Sequence, residues 1–164
     1  MMAGIKRRRI VGVMGGATVD GPTSEMAAEL GRRIAEAGFV LLTGGQPSGV
    51  MDAASRGAHE AGGLVVGVLP GPDPDDCSAF VDISIATNLA DARNLVNVLS
   101  SDVVVACSGG AGTLSEVGMA LKNGRPLVLL GFDPGPSAGA AERAGLVKRA
   151  RTPAEAMARV QEFL

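Results

Sequence analysis

Short apolar runs, rich in β-branched residues, recur along the chain, and between them apolar residues fall three and four positions apart. The runs 9–15, 39–45, 64–70, 102–107 and 126–131 are too short and too continuous for amphipathic helices. Most of them end in glycine or proline, which predicts buried strands. Residues 82–86 and 146–150 read as minor strands. The segments 24–38, 50–63, 89–101, 113–124 and 153–164 carry the helical spacing, and several stop at a glycine. Strands that are apolar on both faces and alternate with helices need a sheet covered on both sides. With right-handed crossovers, the expected fold class is α/β, a Rossmann-like three-layer α/β/α structure around a parallel sheet. The Pro/Gly/Ala-rich stretch 132–146 is read as a loop free to move. No boundary or repeat interrupts the pattern, so residues 1–164 are expected to form a single domain, with 1–8 a flexible N-terminal segment.

Composition narrows the class. The core has to be aliphatic, because the chain holds 4 Phe and no Trp or Tyr. A formal charge of −2 gives no bulk attraction to polyanions, so the expected partners exclude nucleic acid and membrane. The basic run Lys6-Arg7-Arg8-Arg9 reads as a solvated lead-in to the first strand. The apolar stretch after it is too short for a signal segment, and a cytoplasmic location is expected. Cys77 and Cys107 lack the number and spacing of a disulfide framework or zinc site, and His59 alone cannot build a metal centre. No metal site is expected.

In a doubly wound sheet the loops leaving the carboxyl ends of the strands share one edge, where ligands bind. Here those loops carry Gly15-Gly16-Ala17, Thr43-Gly44-Gly45, the residues after Pro70, and Ser108-Gly109-Gly110-Ala111-Gly112-Thr113. Glycine permits positive φ and close backbone approach, and a helix start aims free N–H groups at an anion. Gly15, Gly16, Gly44, Gly45, Ser108, Gly109, Gly110, Gly112 and Thr113 are therefore the candidate binding residues. Neither a dinucleotide fingerprint nor a P-loop occurs, and Lys6, Lys122 and Lys148 all lie outside these loops.

Two further residues stand out. Thr113-x-x-Glu116 has the spacing of a capping box, as does Thr152-x-x-Glu155 at the last helix, where no glycines precede it. Glu116 gains interest only from standing one turn beyond the glycine loop. Arg93 is the one cation on its helix and either snorkels to solvent or turns its fork toward the loop; Asn94 and Asn97 add polar groups beside it. Asp52 and Arg56, one turn apart, read as an exposed helix pair.

The segments "TGGQPSGVMDAASRGAHEAGGLVVGVLP" (43–70), "DARNLVNVLSSDVVVACSGGAGTLSEVGMAL" (91–121) and "GRPLVLLG" (124–131) resemble the LONELY GUY (LOG)-like superfamily. Within it they are most similar to small bacterial proteins resembling the molybdenum cofactor carrier protein. The resemblance implies a parallel sheet of about seven strands, a homodimer or higher homo-oligomer, and a nucleotide-type site. It implies that Gly109, Gly110, Gly112 and Thr113 hold a phosphate, and that Glu116 and Arg93 are the catalytic pair for cleaving the N-glycosidic bond of a nucleoside 5′-monophosphate. The enzymes typically have Pro-Gly-Gly at Ser108-Gly109-Gly110, Arg-Lys at Arg93-Asn94, and Glu at Ser115.

Those departures weigh against hydrolysis more than against binding. The first reading is therefore binding of a small phosphorylated ligand, a nucleotide or the molybdenum cofactor. The second is a phosphoribohydrolase that needs no cofactor, and the third a structural or sensing module whose glycines serve only turns. The lysine decarboxylase label used for some relatives is disfavoured, because that chemistry needs a suitably placed lysine.

Overall fold

The computed structural model describes residues 7–164; residues 1–6 of the expected N-terminal segment, Lys6 among them, lie outside the described residues. Seven strands, β1 (Ile10–Met14), β2 (Val40–Thr43), β3 (Val65–Leu69), β4 (Ile83–Ala86), β5 (Val103–Ala106), β6 (Leu127–Leu130) and β7 (Val147–Ala150), form one sheet in the order β4-β3-β2-β1-β5-β6-β7. Every pairing is parallel. The helices are α1 (Gly21–Glu36), α2 (Gly49–Glu60), α3 (Arg93–Ser100), α4 (Ala111–Lys122), α5 (Gly139–Arg143) and α6 (Pro153–Phe163). This is the expected α/β class.

Strand alternation divides the core between two layers. Val11, Val13, Leu41, Val103, Val105, Val128 and Leu130 pack with α1, α2 and α6. Met14, Leu42, Val104, Ala106, Leu127 and Leu129 pack with Val98 of α3 and with Val117 and Ala120 of α4. β1 has β2 on one side and β5 on the other, so the order reverses between β1 and β5. The loops that follow these two strands flank the crevice where such sheets bind ligands. Among the described residues no helix is long and apolar enough to cross a membrane.

Local chemistry explains where the elements depart from the periodicity. α1 begins before residue 24 because the Asp20 carboxylate accepts from Thr23 N at 2.8 Å, and Pro22 suits the first turn. The stretch read as a loop at 132–146 contains a 3-10 turn at Pro136–Ala138 and α5. Arg7 and Arg9 are exposed, as a solvated lead-in requires, yet both pair with Asp102, which also accepts from Ile10 N at 2.8 Å and so fastens the start of β1 beside β5. The Asp52–Arg56 helix pair does not form either. Asp52 Oδ1 accepts from Ser78 Oγ at 2.7 Å, which ties α2 to the loop after β3.

α1 and α2 touch through glycine. A Cβ on Gly31 would sit 2.0 Å from the Ala54 carbonyl oxygen, and one on Gly57 would sit 1.9 Å from that of Ala28. Both obstacles are backbone, so the helices can only part. Gly31→Ala and Gly57→Ala are each expected to lower unfolding free energy by about 2 kcal/mol or more, despite the gain of about 1 kcal/mol in helix propensity. Gly118→Ala, on the exposed face of α4 with open space around its Cβ position, should instead raise it. Urea unfolding of the three variants checks the contrast.

Candidate functional site

The crevice at the switch point is a cleft of about 340 Å³. Met14 to Ala17 from β1 and its loop form one wall. Gly44 and Gln46 after β2, with Met51 of α2, form another. Asp91, Arg93 and Asn94, then Gly110, Gly112, Thr113 and Glu116, complete it. Of the sequence candidates it gathers Gly15, Gly16, Gly44, Gly110, Gly112, Thr113, Arg93 and Glu116. Gly45, Ser108 and Gly109 do not line it.

The candidates outside the lining have supporting positions. Ser108 O accepts from Gly16 N at 2.9 Å, joining the β1 and β5 loops. Gly109 lets those loops meet: a Cβ there would fall 2.1 Å from Thr113 Oγ1 and 2.8 Å from Gly16 N. Gly45 has φ +75 and lies against Gly67, while its N–H donates to Thr43 Oγ1 at 3.0 Å. Gly110 and Gly112 differ in kind. Neither has positive φ, and a Cβ on either would meet nothing within 4 Å. Their lack of side chains keeps the cleft open.

α4 starts at Ala111 with Gly110 as its N-cap residue, and no side chain caps it. Thr113 is thus inside the first turn, and the capping-box reading of Thr113-x-x-Glu116 fails. At α6 the same spacing does cap: Thr152 Oγ1 accepts from Glu155 N at 3.2 Å, and the Glu155 carboxylate accepts from Arg151 N at 2.8 Å. At α4 the N–H groups of Gly110, Ala111, Gly112 and Thr113 donate to no other described residue. Thr113 and Glu116, three apart and both buried, face the cleft instead.

Arg93 does not snorkel; it is 8% exposed. Its Nη1 donates to Gly44 O and Val68 O, each at 2.7 Å, and its Nη2 to Gln46 Oε1 at 3.3 Å. Its Nε is buried without a partner. Burial lowers the guanidinium's pKa, while Glu116 and Asp91 act in the opposite sense; an arginine nonetheless keeps its charge. The preceding strap places it: Thr87 N and Oγ1 reach Leu69 O, Asn88 N reaches Gly71 O and Ala90 N reaches Pro70 O. Asn88 and Ala90 hold positive φ, at 51 and 47, a strained conformation for alanine.

Glu116 accepts from Asn97 Nδ2 at 3.3 Å, and Asn97 Oδ1 is buried without a partner. Burial pushes the Glu116 carboxyl up to about 7, against the Asn97 hydrogen bond and the charge of Arg93. Beside it, Ser115 Oγ donates to Gly112 O at 2.7 Å and accepts from Asn94 Nδ2 at 3.4 Å, linking α3 to the first turn of α4. Among the lining residues, Gln46, Asp91, Met14 and Met51 were not singled out from sequence. Gln46 directly follows the Thr43-Gly44-Gly45 loop, which was the available signal. Phe80 and Phe132, the aromatics of neighbouring loops, do not line the cleft.

A profile of the SLOG cluster4 family matches residues 8–157. The molybdenum cofactor binding protein of Rippkaea orientalis superposes on 95% of this chain and 97% of its own, with a TM-score of 0.88 and 45% identity. The molybdenum cofactor carrier protein of Chlamydomonas reinhardtii superposes on 96% and 98%, with a TM-score of 0.88 and 47% identity. A more distant relative is the cytokinin riboside 5′-monophosphate phosphoribohydrolase of Mycobacterium tuberculosis, 34% identical over 100 residues. That match takes in 57% of this chain and about half, 51%, of the relative's length.

The environment of Glu116 fixes a sign. A carboxyl raised in the folded state holds its proton where the unfolded chain has lost it, so stability falls as pH rises from about 4.5 to about 7. The difference corresponds to about 3 kcal/mol. Glu116→Gln is expected to remove that fall, becoming more stable than wild type at pH 8 and losing the advantage at pH 5. Urea titrations of both proteins at the two pH values measure it.

Proposed function

The chain belongs to the SLOG cluster4 family, within the LOG-like superfamily and near the molybdenum cofactor carrier proteins, and from that premise we propose that its cleft binds a phosphorylated small molecule of nucleotide or pterin-cofactor type. The observation that carries this reading is the row of unengaged N–H groups from Gly110 to Thr113, opening on the switch-point cleft. A phosphate placed there meets backbone donors and the positive end of α4. Arg93 adds a fixed charge. Its Nη1 hydrogens are committed to carbonyls, which leaves Nε–H and one Nη2–H for a ligand oxygen. Met51 supplies a polarisable contact for a flat heterocycle, and Gln46, Asp91 and Asn94 supply polar edges.

The residues present fit the phosphate end of a molybdopterin-type cofactor, on the evidence of those free amides and the unpartnered Arg93 Nε. In this reading the cofactor is cargo, and its redox chemistry is exercised by the protein that receives it. What this chain contributes is a grip on phosphate and a walled cleft. Residues 1–164 acting as one domain, in a cytoplasmic homodimer, is the proposed setting.

A second reading is supported by Arg93 and Glu116 facing one cleft and by the Mycobacterium tuberculosis relative. Here Glu116, when ionised, would orient water or stabilise an oxocarbenium ion, an effect of roughly 3–4 kcal/mol for one well-aimed group. Release of adenine from AMP, lost in Glu116→Ala, is its signature.

Isothermal titration with AMP, GMP and inorganic phosphate tests the first reading. Wild type is expected to bind at least one of them at millimolar concentration or below. Gly112→Val adds bulk at the cleft lining, where a Cβ would meet nothing within 4 Å, and should weaken binding at least tenfold with little change in Tm. A wild-type protein that binds none of the three overturns the proposal.

A further inference from the structure

Resting on that reading of the cleft as an oxyanion site, we propose that Glu116 determines which anion enters, by admitting a dianionic oxyanion only together with one proton that its own carboxyl group receives. Side chains on a helix lean toward its N-terminus. Glu116 lies one turn beyond Gly112 and Thr113, and all three line the cleft on which the free amides open. Glu116 is 8% exposed and has a single hydrogen-bond donor, Asn97 Nδ2.

Only the Asn97 hydrogen bond and the nearby charge of Arg93 favour that carboxyl as an anion, and burial outweighs both. Arg93, the cation beside it, directs three of its four Nη hydrogens to Gly44 O, Val68 O and Gln46 Oε1 and forms no ion pair with it. Asp91 is the other charged residue lining the cleft, and it adds negative charge; β1, β2 and their loops contribute none. Asn97 is wholly buried, with its Oδ1 lacking a partner. Turning its amide over exchanges donor for acceptor, so Asn97 can serve the carboxylate through Nδ2 or the protonated acid through Oδ1.

A dianion brought onto the amides stands next to this carboxyl in a partly desolvated space, which raises its affinity for a proton. The proton comes from solvent and goes to a Glu116 carboxyl oxygen; no covalent bond other than that O–H is made or broken. Already pushed up to about 7 by burial, the group is poised to take it near neutrality. A neutral nucleoside would enter without this proton, so the linkage separates phosphorylated from unphosphorylated ligands.

Sulfate is the probe, because it stays dianionic through the neutral range and cannot itself account for a proton. Titration of wild type at pH 8, in buffers of different ionisation enthalpy, should show uptake of close to one proton per sulfate. The sulfate Kd should weaken by nearly tenfold for each pH unit above about 7 and level off below it. Glu116→Gln should take up no proton and bind with a pH-independent Kd. Wild type binding sulfate with no proton uptake, or a pH slope retained in Glu116→Gln, overturns this inference and leaves the anion-site reading standing. If neither sulfate nor inorganic phosphate binds at any pH, the anion-site reading fails and takes this inference with it. The wild-type proton count does not depend on how the variant folds.

Discussion

A guanidinium buried at the carboxyl edge of a parallel sheet must be solvated by something, and for Arg93 the solvent is main chain. Two carbonyls, one just beyond β2 and one within β3, accept from the same Nη1, and hydrogen bonds of this charge-assisted kind contribute about 1.5–3 kcal/mol each. The contact dictates its neighbours. Gly44 has no alternative, since a Cβ there would lie 2.2 Å from Nη1. The strap at 87–90 accepts two positive-φ residues to bring α3 in at the right place. One side chain thereby fixes the relation of the β2 loop, the end of β3 and the start of α3, and leaves a permanent positive charge in the wall of the cleft.

With that frame in place, the glycines of the edge sort into two kinds. Gly44, Gly45 and Gly109 are required by backbone or by a locked side chain within 3 Å of where a Cβ would be, and they hold the loops together. Gly110 and Gly112 are required by nothing in the fold. On the proposed reading, glycines the fold does not demand, set in the lining of the cleft, leave room for the ligand. This is the difference between a glycine that makes a turn and one that leaves room for a ligand, and only the second kind bears on the proposed binding.

Much of the fold was legible because strand periodicity and glycine stops report burial directly. The seven strand positions and a parallel sheet follow from apolar runs such as Val103–Ala106, whereas the strand order, and with it the meeting of the β1 and β5 loops, came only with the pairing. Where expectation failed, tertiary contacts outweighed local pattern. Arg7 and Arg9 are as exposed as a basic run suggests, but local pattern could not show that Asp102 pairs with both. Asp52 looks paired with Arg56 until Ser78 arrives from a loop 26 positions along the chain. The spacing could say that Arg93 was alone on its helix; that two of its hydrogens go to carbonyls far away in sequence was beyond it. In the candidate site the glycines were legible one by one, whereas their division into structural and open positions needed the packing.

Thr113-x-x-Glu116 and Thr152-x-x-Glu155 carry the same local instruction and end differently. At α6 the threonine stands outside the helix and caps it. At α4 the chain enters the helix at Ala111, carrying Thr113 inward and leaving the first turn without a side-chain cap. Forgoing a cap costs about 1 kcal/mol, and holding Glu116 away from water costs more. Both concessions fall at the switch point of the sheet, close to the strained Ala90 and the orphaned Nε of Arg93. The apolar layers that stabilise the sheet lie beneath and need none of them. Strain gathered at one edge of an otherwise consistent fold marks where the sequence serves something other than folding: the uncapped turn keeps donors free, and burial raises the Glu116 carboxyl's hold on its proton. On the proposed reading those are the two properties that a site for a phosphate and its proton requires.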